Sequence, residues 1–396
     1  MRQVSPLFVG RGPELSKLRS LLASATGGEP AVVVVGGDAG IGKSRLIEEF
    51  VRPLLDLDAG AVNPAGSTGS AGPAVPVAQI PPVGEVRVLI GGCAELGDEG
   101  VAYAPFVAAL RQLLRDCPSA FGDTNGVRRR ELSWLLPELG EGLSAEALRS
   151  GPMYAAGMER HADTLPAVAR AGEMSARGRL FDAVLGLLED LGSDETLLLV
   201  LEDLHWADRS TRDLLGFLSR SLRESRVLIV GTYRTDDLHR GHPLRPFLAE
   251  LDRIRGVRRI DLGPLTGGET AEQLAAIYGR TGRDLPPGFA EEVFARAEGN
   301  PFFTEELACA TTDGAHLMPS DVGGFALSDT LRDLLLIKVE QLPEATQRKL
   351  RLLSAALPPV DHRFLLLVTG TTDDELNELI RPAFQAHILV PGEGPT

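Results

Sequence analysis

The sequence predicts an α/β chain built on a parallel sheet covered on both faces, and three observations predict it. Short, mainly apolar runs have the composition of strands buried on both sides: "AVVVV" from Ala31, "VRVLI" at Val86–Ile90, "LLLVL" at Leu197–Leu201 and "RVLIVGTYR" ending at Arg234. Amphipathic stripes at helical spacing alternate with them. A glycine-rich turn joins the first run to the helix that follows it.

Taken in order, "KSRLIEEF" sets Leu46, Ile47 and Phe50 on one helical face. "PFVAALRQLL" does the same for Phe106, Leu110 and Leu113, and "RLFDAVLGLLEDL" for Leu180, Val184, Leu187 and Leu191. A fifth strand is expected at Val257–Leu262, and the nucleotide-fold domain is expected to run over residues 1–265. Within it, residues 56–85 are rich in Gly, Pro, Ala and Ser and predict a mobile insertion. Beyond it, helices are expected at 268–281, 288–298, 302–311, 329–341 and 344–356. They divide into a helical lid over 266–325 and a partial winged-helix-like domain over 326–396. No internal repeat is visible.

Composition narrows the function. The 396 residues are 43% hydrophobic and 24% charged, enough for a sizeable core in two or three domains. A net charge of -15 argues against binding nucleic acid through the overall field, and Arg128–Arg130 reads as a solvated helix face. Cys93, Cys117 and Cys309 lie far apart with no CxxC spacing, so neither a disulfide framework nor a zinc site follows from them, and a reducing compartment is the simplest expectation. With no secretory apolar stretch, and no run near the roughly 18 residues of a membrane span, a soluble, cytoplasmic protein without a membrane partner is expected.

The turn "GGDAGIGKS" contains G-x-x-x-x-G-K-S, from Gly37 through Gly42, Lys43 and Ser44. Gly37, Gly40 and Gly42 let the backbone wrap with its N–H groups pointing inward, Asp38, Ala39 and Ile41 supply the intervening amides, and the helix N-terminus favours anionic phosphate. Lys43 is placed to reach the β- and γ-phosphates of ATP or ADP, and the Ser44 hydroxyl to ligate Mg²⁺. Given that loop, the two acids ending "LLLVLED" acquire roles. Glu202 takes the metal-side position, and Asp203 is expected to orient or deprotonate an attacking water. The common order is Asp then Glu, so the reversed order predicts binding more firmly than fast turnover. Arg234 ends the next strand on the same edge and is a candidate sensor of the γ-phosphate, or else a structural ion pair. His205 and Trp206, exposed by their sequence context, are candidates for a surface that reports on the site, against a plain packing role.

These motifs resemble the large ATP-binding regulators of the LuxR type found in actinobacteria. These are signal-transduction ATPases with numerous domains (STAND), whose nucleotide module is also described as Orc1-like AAA. The resemblance spans nearly the whole chain. It rests on "FVGRGPELSKL", "GGDAGIGKSRL", "VLEDLHWADRSTRDLL", "GTYRTDDLHRGHPLRPFLAELDR" and "AEGNPFFTEEL". It implies a P-loop NTPase fold of AAA/STAND type, with Arg11 beside the nucleotide, Arg45 within the phosphate-loop motif and Pro301 packed against the adenine nucleotide. Read from the residues alone, Pro301 follows a helix ending at Gly299 and blocks its continuation. The family's winged-helix histidine, sensor helices and C-terminal helix-turn-helix would follow "LIRPAFQAHILVPGEGPT". His387 falls before the place of that histidine and is not given its role.

The function implied is a slowly hydrolysing switch, closed with ADP and open and self-associating with ATP and an unknown inducer. It would reach DNA only through a C-terminal domain absent from this sequence. Two other readings stay open: a freestanding AAA-type ATPase driving work on a partner, and an Orc1-like DNA-binding protein.

Overall fold

The computed structural model describes residues 7–58, 86–93, 102–122, 126–140, 167–239, 241–281 and 285–312, and, towards the C-terminus, 336, 339–340, 342–354, 362, 365–366, 370–385 and 388–389. The expected insertion lies outside the described residues but for its first three, the expected helix at 329–341 falls almost wholly outside them, and His387 is outside.

The chain divides into two compact units, Gly10–Gly263 and a second made of Met1–Val9 with Pro264–Thr396. The first contains α1 (Gly12–Thr26), β1 (Ala31–Gly37), α2 (Lys43–Asp58), β2 (Val86–Gly92), α3 (Ala104–Asp116), the short α4 (Val127–Leu132) and the long α5 (Ala167–Asp194). It continues with β3 (Thr196–Glu202), α6 (Arg209–Ser221), β4 (Val227–Arg234), α7 (Leu244–Leu251) and β5 (Val257–Asp261). The five strands form one sheet in the order β2-β3-β4-β1-β5, every pairing parallel. The expected α/β parallel sheet is therefore observed.

Burial on both faces explains the uninterrupted apolar strands. Leu197, Leu199 and Leu201 of β3 join the core beneath α3, α5, α6 and α7. The alternate residues Leu198 and Val200 are buried on the other side of the pleat, the side on which α1 and α2 bury Leu18, Leu22, Leu46, Ile47 and Phe50. The helical stripes at Phe106, Leu110 and Leu113, and at Leu180, Val184, Leu187 and Leu191, are also buried. At the β2 edge, Gln112 of α3 accepts a hydrogen bond from the Ile90 N–H (3.1 Å) and donates one to the Val88 carbonyl (3.0 Å). This covers polar groups that would otherwise template another strand. The arginines of α4 are engaged within the chain: Arg128 pairs with Asp190, Arg129 donates to the Leu139 carbonyl and Arg130 pairs with Glu131.

Parallel pairing in register brings the carboxyl ends of the strands to one edge. Gly37 is opposite Arg234, Gly92 opposite Glu202, and Gly36 opposite Asp261. Ligands of open α/β sheets bind outside such an edge. The chain leaving β3 crosses it closely: a Cβ at Gly231 of β4 would lie 2.5 Å from Leu204 Cδ1. Gly231→Ala is expected to destabilise the unit by about 1–3 kcal/mol through overpacking, read by urea denaturation. An unchanged midpoint would show that Leu204 has room to retreat.

In the second unit, α8 (Gly267–Thr281), α9 (Phe289–Ala297) and α10 (Pro301–Thr312) share a core of Leu274, Ile277, Tyr278, Phe289, Val293, Ala297 and Leu307. Thr266 and Glu269 cap the start of α8 reciprocally: the Thr266 N–H donates to the Glu269 carboxylate (2.7 Å) and the Glu269 N–H to Thr266 Oγ1 (3.3 Å). Gly299 follows α9 at φ 74, where a Cβ would meet the Leu265 carbonyl at 2.1 Å. Asn300 Oδ1 accepts the Phe302 N–H, and Pro301 opens α10. Pro301 thus starts a helix, while the previous one has already ended at Ala297, before the left-handed Glu298 and Gly299. Further along the same unit lie α11 (Glu344–Leu353) and α12 (Asp373–Gln385), where Thr346 Oγ1 donates to the Leu379 carbonyl at 2.8 Å.

Candidate functional site

The loop from β1 to α2 folds around one buried cation. Lys43 is 8% exposed, and its Nζ donates to the Gly37 carbonyl (2.7 Å) and the Asp38 carbonyl (2.8 Å). Gly40 (φ 76) and Gly42 (φ 99) take the left-handed backbone that lets the loop close over it. At Gly37 a Cβ would lie 2.7 Å from Ile41 Cγ2, so the strand's last residue has no room for a side chain. Burial pushes the Lys43 ammonium below its ordinary pKa and the Arg234 charge adds to this, while Asp236, Asp203 and Asp38 pull it back up. Asp38, Gly40 and Ser44 are exposed at the loop surface, and Arg45 Nη1 lies 3.8 Å from Glu48.

Arg11 braces this loop from behind. Its guanidinium donates to the Ile41 carbonyl (3.2 Å) and to the Gly263 carbonyl just beyond β5 (2.6 Å). The backbone at Arg11 is itself left-handed (φ 63).

Across the sheet edge, β3 ends in Glu202, half-buried, and the next residue turns left-handed. Asp203 has φ 58 and ψ 46, a conformation Asp tolerates better than most side chains, and its N–H donates to Thr232 Oγ1 at 3.0 Å. Burial raises the pKa of both carboxyls. For Glu202 the neighbouring charges of Asp203 and Glu48 add to the rise, whereas for Asp203 the Arg234 and Lys43 charges oppose it. Arg234, at the end of β4, lies over the Trp206 ring (5.1 Å to the centroid) and 4.0 Å from Asp237.

The sharp turn at Asp203 overturns one sequence expectation. His205 is not at the surface: the turn folds residues 204–206 into a short 3-10 helix that buries Leu204 and His205 and leaves Trp206 half-covered. Asp208 then caps α6, accepting the N–H groups of Ser210 (2.8 Å) and Thr211 (3.1 Å).

Residues 7–230, more than half of the chain, match the AAA ATPase domain family. The chain belongs to that family. An uncharacterized protein of Rhizobium meliloti (strain 1021) is 24% identical over 415 residues, an alignment covering 99% of this chain and 34% of that protein. The chain therefore spans about a third of that relative's length. The solved Walker-type ATPase of Pyrococcus abyssi has a similar fold, with a TM-score of 0.51 at 15% identity over 99% of this chain and 93% of its own. A STAND protein with a tetratricopeptide repeat sensor from Pyrococcus horikoshii gives a TM-score of 0.39 at 15% identity, over 96% of this chain and 40% of that one.

The AAA domain thus gathers Arg11, the Gly37–Ser44 loop, Glu202, Asp203 and Arg234 at one sheet edge, while Pro301 belongs to the other compact unit. Sequence reasoning gave no role to the individual residues that follow Arg234. The Asp236 carboxylate accepts the Ala39 N–H at 3.2 Å, Thr235 Oγ1 donates to Asp38, and the Thr235 N–H donates to the Gly37 carbonyl at 3.2 Å. The available signals were the pair of acids directly after a strand-end arginine and their place in the motif "GTYRTDDLHRGHPLRPFLAELDR". No group of three or more His, Cys, Asp and Glu that could hold a metal ion is gathered among the described residues. None of their helices is long and apolar enough to cross a membrane.

His205 gives the AAA domain a pH dependence. Burial, with the Arg234 and Lys43 charges beside it, pushes its pKa down to about 3 from 6.5. Between those values the unfolded chain binds a proton that the folded one excludes, so stability falls as pH falls through that window. His205→Gln is therefore expected to lose less stability than the natural protein between pH 7 and pH 5 in urea unfolding. Equal losses would refute the assignment.

Proposed function

We propose that this AAA domain binds ATP or ADP with Mg²⁺ at the loop after β1, hydrolyses ATP slowly, and acts as the nucleotide switch of a LuxR-type transcriptional regulator. The observation that carries the nucleotide reading is the buried Lys43 ammonium, held by its own loop's carbonyls and facing the edge where Glu202, Asp203 and Arg234 converge. In this reading the amides of Gly37 to Gly42 and the Lys43 ammonium take the phosphates. Arg45 sits in the first turn of α2, Arg11 fixes the loop's shape, and Pro301 packs on the adenine nucleotide.

The chemistry of the acids fits a divalent cation. Glu202 and Asp203 are neighbouring carboxyls that burial makes costly to ionise together, a cost a cation offsets. Mg²⁺ in such sites takes few protein ligands and keeps water and phosphate oxygens, and Ser44 and Glu202 are the residues that would hold it. Bound there, Mg²⁺ supplies charge neutralisation of the β- and γ-oxygens. Asp203 accepts the proton of the attacking water or orients it, and Arg234 answers to the γ-phosphate.

The switch reading rests on the motif resemblance along the chain and on the reversed acid order, which favours holding nucleotide over turning it over. ADP favours the closed state and ATP with an inducer the open, self-associating one, each by its differential affinity for the two states. DNA is reached through a C-terminal helix-turn-helix.

The test combines nucleotide content, turnover and light scattering. Expected results are retained ADP after purification, turnover below about one per minute, the scale of switch nucleotide hydrolases, and larger assemblies with ATP than with ADP. Fast, partner-stimulated turnover would instead mark a freestanding machine. Salt-sensitive binding of duplex DNA by this chain would mark an Orc1-like protein.

A further inference from the structure

His205 is buried with neither ring nitrogen hydrogen-bonded, and each nitrogen faces a different carboxylate. Nδ1 lies 3.9 Å from Asp203 Oδ1, and Nε2 lies 3.4 Å from Asp237 Oδ2. Neither contact is a hydrogen bond as it stands, and each is close enough to become one after a small shift. A neutral imidazole carries one N–H, so it serves one carboxylate at a time. Its burial keeps it neutral, consistent with a pKa pushed down to about 3. The two carboxylates stand on different elements, Asp203 after β3 and Asp237 after β4. The contacts close into a ring, because Arg234 is 4.0 Å from Asp237 and covers Trp206, whose ring lies 4.4 Å from that of His205.

We propose that His205 is a positioning residue that passes its single N–H between Asp237 and Asp203, so that the acid after β3 is oriented for water only when the segment after β4 has responded to the γ-phosphate. With the N–H on Nε2 it serves Asp237, and Asp203 is left loose. The exchange moves two protons together, the Asp203 carboxyl giving its proton to Nδ1 as Nε2 gives its own to the Asp237 carboxylate, and the new Nδ1–H then fixes the Asp203 carboxylate. Trp206, pinned under Arg234, carries the same shift. This rests on the reading of Asp203 as the water-orienting acid.

The chain has two tryptophans, so Trp134→Phe leaves Trp206 as the reporter. In that background Trp206 emission is expected to differ between ATPγS and ADP, and His205→Phe to remove the difference while affinity for both stays within about twofold. Single-turnover hydrolysis in His205→Phe is expected to fall about tenfold, on the scale of a sub-ångström misplacement, and His205→Phe is expected to add no further loss to Asp203→Asn. His205→Asn, whose amide substitutes for Nδ1, is expected to recover most of the rate, and His205→Gln, which substitutes for Nε2, is not.

Additive losses in the double variant, or equal losses in all three His205 variants, would reduce His205 to packing. Normal hydrolysis in His205→Phe beside a loss in Asp203→Asn would remove this inference alone. Normal hydrolysis in Asp203→Asn would remove the role of Asp203 and the inference together.

Discussion

Lys43→Ala is expected to abolish measurable nucleotide binding, with a loss of about a hundredfold or more in affinity for both ATP and ADP. The size follows from what the side chain faces. Asp38, Asp203 and Asp236 all act on the Lys43 ammonium, and Arg234 is the other cation acting there. Removing the lysine turns a phosphate site into an acidic one, and truncating one member of a buried charged contact costs about 2–5 kcal/mol. The Gly37 and Asp38 carbonyls also lose the donor that gathers the loop, so the amides meant for phosphate lose their arrangement. Lys43→Met separates the two effects, since it keeps the packing of the stem without the charge. It should match Lys43→Ala in binding while keeping more of the stability. Titration calorimetry with ATP and ADP reads the first effect and urea denaturation the second. Normal ATP binding by Lys43→Ala would mean that the loop after β1 does not hold the phosphates.

What the sequence made legible here is what local pattern encodes. "AVVVV" and "LLLVL" are apolar at every position because both faces of the sheet are covered, and the helical stripes at Leu46, Ile47 and Phe50 bury as their spacing requires. The loop was legible because its glycines, lysine and serine are contiguous. The residues it leans on are not. Ala39 meets Asp236 from 197 positions away, and Arg11 reaches Gly263 across 252, contacts created only when β1 is seated between β4 and β5. His205 was misplaced for a more local reason. A polar residue three positions after a strand-end acid looks exposed unless the backbone reverses its hand, and the left-handed turn at Asp203 does so.

The same turn shapes the second large effect. Asp203→Asn is expected to keep the fold, hold ATP at least as tightly as the natural protein, and lower single-turnover hydrolysis by about 10²–10⁴, the range for loss of a general base. The fold survives because Asn suits left-handed backbone as well as Asp does, and the N–H donated to Thr232 Oγ1 is unchanged. Binding holds or tightens because a carboxylate acting on Lys43 is neutralised just where the γ-phosphate brings negative charge. Hydrolysis falls because an amide cannot take the proton. The ATP form then persists, and light scattering should report assemblies that outlast those of the natural protein. If hydrolysis is unchanged, Asp203 is too short to reach the water, and slow turnover in the natural protein proceeds without a base. The turn also bears on the acid order. At φ 58 the residue after Glu202 sits where Asp and Asn are favoured and a longer side chain is not. Asp203→Glu should therefore trade reach for strain, lowering stability while it lengthens the acid. A gain in turnover from that variant, measured beside its unfolding midpoint, would show that the missing methylene is what keeps this site slow.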